Sequence, residues 1–187
     1  MARWHRRRDY GPQPSVPNPR EVLLTEVRDF VVAAAECAGV RRIALVGSLA
    51  TTKPLPKDAD VLVTLDPDLD LEELAPIGRR LKGRCNTINL TADVFLTETG
   101  GSYIGRICGY RECRARTACE ARSCRMGGRH RLNDDLHLVT LAPALIAAPP
   151  FDLWPQVVRR AEPPEDVERL LLAPLEALFK AGSGGAG

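Results

Sequence analysis

Apolar positions come first at helical spacing. Leu23, Val27, Phe30, Val31 and Ala34 lie on one face of a helix that opens at Asn18. Asn18 is a suitable N-cap, Pro19 fits the first helical position, and Glu21 stands where a capping box closes. Gly39 supplies the stop. The pattern then tightens. Residues 42–46 read as a short apolar strand that Gly47-Ser48 breaks, and residues 49–57 as a turn or helical stub, because Pro54 and Pro56 forbid more. Residues 58–65 alternate and are rich in β-branched side chains, which predicts a strand. Asp70 and Glu73 open a second helix that Gly83 ends, and residues 87–96 form a third strand.

Further along, residues 100–131 have no sustained apolar period and read as an insert. A fourth strand is expected over 136–141, and a proline-broken connector over 143–155. Residues 164–180 form an amphipathic helix with Val167, Leu170, Leu171, Leu175 and Leu178 on its apolar face. The chain thus divides into a basic arm (1–17), a core (18–99), a Cys/Arg-rich insert (100–131), a C-terminal strand with helices (132–181) and a flexible tail (182–187).

Composition narrows the class. With 187 residues, 44% of them hydrophobic, one domain with appendages is expected. No apolar run approaches the ~18 residues of a spanning helix, and the basic start lacks the apolar stretch of a secretory signal. A cytoplasmic protein with no membrane contact is the expectation. Net charge is +2, and arginine outnumbers lysine 22 to 4, a ratio that suits GC-rich bacterial coding.

The candidate chemistry lies in Val46-Gly47-Ser48 and Asp58-Ala59-Asp60-Val61. Residues i and i+2 of a strand share a face, so Asp58 and Asp60 point together, beside Leu62. Two carboxylates this close repel, and a divalent cation such as Mg²⁺ removes that penalty. Asp93, flanked by apolar residues on the third strand, completes a three-carboxylate cluster if that strand lies beside the second. The competing reading has Asp58 capping a turn, Asp60 facing solvent and Asp93 starting a loop. Gly47 lets backbone approach a polyphosphate, Ser48 adds a hydroxyl donor, and Lys53 and Lys57 stand ready to offset phosphate charge.

Gly-Ser, the nine-residue gap, Asp-x-Asp and the later strand aspartate together resemble the polymerase-β-like nucleotidyltransferase superfamily, and more narrowly its minimal bacterial members. The likeness spans about residues 20–97. It implies an α+β fold with a small mixed sheet and flanking helices. It also implies that Asp58 and Asp60 bind two Mg²⁺ (or Mn²⁺) ions, that Asp93 binds the one nearer the acceptor hydroxyl and helps activate it, and that Gly47 and Ser48 hold the triphosphate. The expected reaction moves an NMP from an NTP to a hydroxyl of a protein, an RNA or a small molecule, releasing pyrophosphate. Members of this group often act beside a partner protein, toxin–antitoxin pairs included. A weakly catalytic nucleotide- or partner-binding module is the alternative.

The insert carries its own signals. Cys108, Cys113, Cys119 and Cys124 offer four thiolates, enough for a structural Zn²⁺, with His130 or His137 as substitutes and an iron–sulfur cluster as a lesser option. Eight arginines against two acids over residues 105–131 suit phosphate or nucleic acid. An RNA-binding zinc protein is therefore a third functional reading. Cys37 and Cys85 read as packing residues, and Asn133-Asp134-Asp135 as a turn or cap.

Overall fold

The first helix, α1 (Pro19–Ala35), starts where its capping signals lie: Asn18 Oδ1 accepts the Arg20 N–H at 3.1 Å. The computed structural model describes residues 18–111, 121 and 129–183. The second half of the capping box does not form, because Glu21 turns to a cationic partner instead, Oε1 accepting from Arg169 at 3.2 Å. After α1 come β1 (Val40–Val46), a single 3₁₀ turn (Ser48–Ala50), β2 (Asp58–Leu65), α2 (Leu74–Asn86) and β3 (Thr91–Glu98). The chain continues through β4 (Tyr103–Ile107), β5 (Leu132–Asn133), α3 (Pro143–Ala147), β6 (Phe151–Trp154) and β7 (Val158–Arg159). It closes with α4 (Glu165–Val167), which passes through a π-helical stretch (Glu168–Leu172) into α5 (Ala173–Ser183).

The architecture is α+β, as expected, around a mixed sheet of order β5-β4-β3-β2-β1-β6-β7. Only β2 and β3 are parallel, with α2 as their crossover; the other pairings are antiparallel. The two sheet faces differ. One carries Ile43, Leu45, Val61, Val63, Val94 and Leu96 into a core shared with α1, α2 and the C-terminal helix. The other holds only a small apolar cluster, Ala44, Val46 and Leu62, against Phe95, Leu141 and Leu145. Side chains alternate across a strand, so that second face also receives Asp58, Asp60 and Asp93.

Several sequence expectations need correction. The third strand starts at Thr91 rather than residue 87, because α2 runs on past Gly83 to Asn86 and Thr87 caps it. Gly83 is exposed, and one glycine costs a helix only about 1 kcal/mol, less than burying Cys85 returns. The strand expected over 136–141 is a turn with Leu136 and Leu138 exposed. The insert begins instead with a strand: β4 extends the sheet beside β3. The connector over 143–155 holds α3 and β6, and β6 buries Phe151 and Leu153 completely against β1. In the last helix the π-helical stretch advances the apolar face by a residue, so Leu172 is buried and Leu178 exposed. That helix extends to Ser183, into the expected tail. The arm over 1–17 lies outside the described residues.

Candidate active site

Strand register brings the acids together. In the parallel pair β2–β3, Asp60 stands directly opposite Asp93, and Asp58 opposite Thr91. Neighbouring strands lie about 4.8 Å apart, so partners in register share a face as close neighbours. Asp58 and Asp60 share it through the two-residue period. The antiparallel pair β1–β2 sets Val46 opposite Asp60, which places the Gly47-Ser48 turn at the edge of the carboxylates.

Gly47 is tied to that position twice. Its φ of 69° and ψ of −159° lie in a region that only glycine occupies readily. A Cβ there would also meet Asp60 Oδ2 at 2.1 Å. The chain thus crosses directly over the Asp60 carboxylate. Ser48 follows, and its Oγ is buried with no hydrogen-bond partner. Buried hydroxyls are normally satisfied, so this one stands out as unmet among the described residues. A network that the sequence did not reveal holds the turn in place. Buried Arg20 donates to the Leu49 and Lys53 carbonyls at 3.3 and 2.7 Å, and its Nε meets Asp166 Oδ2 at 2.5 Å. That contact holds the Asp166 carboxyl below the usual range. Lys53 and Lys57, the expected phosphate partners, are exposed on the following loop.

On the Asp93 side a second unforeseen network appears. Arg106 of β4, opposite Phe95, donates from Nη1 to Asp93 at 2.9 Å and from Nε to Asp135 at 2.5 Å. Asp135, only 1% exposed, also accepts the Tyr103 hydroxyl at 2.8 Å. Lys82 Nζ lies 3.4 Å from Asp93 Oδ1. Burial pulls Arg106 down, but Asp93 and Asp135 together hold it above its ordinary value. Burial and the Asp135 bond keep Tyr103 protonated far above its usual range.

The charge balance is the main electrostatic feature. Four carboxylates (Asp58, Asp60, Asp93, Asp135) face two cations (Arg106, Lys82), which leaves an excess of two negative charges when all are ionised. Asp60 carries the strain. Burial first, then repulsion from Asp58 and Asp93, push its carboxyl from 3.8 to about 7, against the pull of Arg106. A hard divalent cation would relieve that excess with oxygen ligands of the kind present. Among the described residues no three His, Cys, Asp or Glu side chains form a group that could hold a metal ion, and Asp93 is paired with Arg106 and Lys82.

The cysteine expectation fares differently. Cys108 follows β4 as a buried free thiol, its N–H donating to the Arg131 carbonyl at 2.8 Å, and it packs like Cys37 and Cys85. Cys113, Cys119 and Cys124 lie outside the described residues, so the described structure gives no support to a metal-organised insert. Asp135, read as part of a turn, is a buried partner of Arg106. Sequence reasoning missed Arg106, and the short Tyr-Ile-Gly-Arg-Ile run of β4 is the signal that could have found it; nothing local marked Arg20 or Asp166. In comparisons with known proteins, the chain matches no family model, no curated protein and no solved structure.

Proposed function

We propose that this chain is a nucleotidyltransferase that moves an NMP from an NTP to an acceptor hydroxyl. The reading is carried by the in-register Asp60–Asp93 pair, on one face with Asp58 and beneath the Gly47 crossing. The orphaned Ser48 hydroxyl and the excess negative charge support it. Asp58 and Asp60, with Asp93, would hold Mg²⁺ or Mn²⁺. Bound there, such ions would neutralise charge on the triphosphate and on the attacking and leaving oxygens.

The chain's own groups divide the remaining work. Ser48 donates from Oγ to a phosphate oxygen, and Gly47, with no side chain, lets the polyphosphate approach the backbone. Lys53 and Lys57 reach the outer phosphates from their exposed loop. Asp93 orients the acceptor hydroxyl and receives its proton. The acceptor oxygen bonds to the α-phosphorus as the bond to the bridging oxygen breaks, and pyrophosphate leaves. Alignment and charge stabilisation supply the rate. Arg106 and Lys82 keep Asp93 ordered until a cation competes for it.

A second reading follows from the same ion pair. If Arg106 retains Asp93 when nucleotide binds, the chain is a nucleotide-binding module with little turnover. One experiment separates the two: each α-labelled NTP, Mg²⁺ or Mn²⁺ and a cell lysate, with wild type compared with Asp58→Ala and Asp60→Ala. Label transfer lost in both variants supports the enzyme. Nucleotide binding without transfer by wild type supports the module.

A further inference from the structure

We infer that a groove along α2 takes the end of a single-stranded nucleic acid and presents its terminal hydroxyl to the Asp93 side of the site. This rests on the nucleotidyl-transfer reading and names its acceptor class. The groove has a volume of about 760 Å³ and is lined by Arg79, Arg80, Lys82, Arg84 and Arg111, with no acidic residue among the described residues of its wall. Its cations are poorly neutralised. Among the described residues Arg79 donates to the Cys108 and Tyr110 carbonyls, at 3.5 and 3.3 Å, and to no carboxylate. Exposed Arg80 and Arg111 pair with no carboxylate among the described residues. Arg84 keeps one loose partner, Glu26 at 3.5 Å.

Gathered guanidinium groups repel one another. Burial, Arg131 and Arg111 all hold Arg79 below its ordinary value. A row of phosphodiesters supplies the missing charge, and the planar fork of arginine matches phosphate oxygens two at a time.

Position separates this groove from the nucleotide's own place. Gly47-Ser48 follows β1, whereas Lys82 lines the groove and reaches Asp93 on β3, across β2. Triphosphate and acceptor therefore approach the carboxylates from opposite sides, as an attack on the α-phosphorus requires.

The test measures anisotropy of labelled single strands of about 12 nucleotides, RNA and DNA of one sequence, on the full chain. Salt runs from about 50 to 200 mM, and polyglutamate serves as competitor. Compared are wild type, the double variant Arg80→Gln/Arg111→Gln, and Asp60→Asn, with label transfer scored in parallel. The double variant should lose at least tenfold in affinity, and its salt slope should fall by about 1.4, at ~0.7 for each lost phosphate contact. Circular dichroism of that variant should match wild type, since both side chains are exposed. Asp60→Asn should bind like wild type and transfer nothing. The strand that binds more tightly at equal salt identifies RNA or DNA as the acceptor.

Unchanged binding by the double variant overturns the groove and leaves nucleotidyl transfer standing. Polyglutamate competing as well as nucleic acid also overturns it, in favour of an acidic protein partner. Binding lost in the double variant, with no transfer by wild type to either strand, overturns the acceptor role; the enzyme reading falls only if wild type also labels nothing in the lysate.

Discussion

Replacing Asp60 by Asn should stabilise the cation-free protein at high pH while abolishing nucleotidyl transfer. In the unfolded chain this carboxyl titrates near 3.8, and in the fold near 7. At 1.36 kcal/mol per pH unit the difference is about 4 kcal/mol, and solvent screening of a partly exposed group reduces it to about 2 kcal/mol. The sign follows from linkage. Folding raises this pKa, so the protonated form favours the fold; that contribution is full below pH 4 and is lost as pH rises through 7. Asn is neutral throughout and never incurs the loss. At pH 8 in chelator, Asp60→Asn should therefore raise the melting temperature by about 4–8 °C, taking 2–4 °C per kcal/mol for a chain of this size. At pH 4.5 the gain should shrink to about a quarter of that. Adding Mg²⁺ at pH 8 should stabilise wild type and leave the variant nearly unmoved. Calorimetric melts of both proteins under these conditions are the assay. A variant destabilised at pH 8, or one with the same gain at both pH values, refutes the assignment of Asp60 as the strained carboxylate.

Other substitutions test the remaining parts. Gly47→Ala forces a Cβ into Asp60 at a positive φ, and should cost about 1–3 kcal/mol in urea unfolding and remove label transfer. Asp166→Asn leaves Arg20 buried without its counter-charge. A loss of about 2–3 kcal/mol is expected, with faster hydrogen exchange at backbone amides of residues 49–53. Arg106→Met removes the cation that pulls Asp60 down, so the Asp60 carboxyl should titrate above 7 by NMR. Mg²⁺ affinity of wild type, followed by calorimetric titration, should weaken as pH falls below about 7, because the cation must then displace a proton from Asp60.

How far the sequence carried differs between the parts of the site. Asp58 and Asp60 were legible because strand alternation is local: their common face follows from two residues of spacing. Asp93 was half legible. Its strand could be read, but its place opposite Asp60 depends on β2 and β3 being parallel neighbours in that register, a long-range fact. Arg106 and Asp135 were hidden because β4 is five residues long, its register against β3 is shifted by an irregularity, and it lies in a segment dominated by arginines and cysteines. The short strand β6 was hidden by the prolines around it, at 149, 150 and 155, although it completes the core side of β1. Arg20 and Asp166 are 146 residues apart, and no local pattern connects them.

The register that builds the core also builds the site. Val61, Val63, Val94 and Leu96 face the helices, and each is at most 4% exposed. Sliding β3 by one residue would turn Val94 and Leu96 toward the sparsely covered face and drive Asp93 into the apolar core, at a cost of several kcal/mol. The hydrophobic pattern therefore forbids the slip, and by doing so fixes Asp93 beside Asp60 with no help from a bound ion. What the apolar pattern cannot do is neutralise the acids so assembled. Arg106 and Lys82 do that in part, and burial together with the remaining repulsion from Asp58 and Asp93 raises the Asp60 carboxyl. The backbone at Gly47 lies against the Asp60 carboxylate, so position 47 itself can carry no side chain to neutralise it. Stability and the proposed chemistry are thus opposed at one residue. On the nucleotidyl-transfer reading, the carboxylate that weakens the fold is the one proposed to hold the cation.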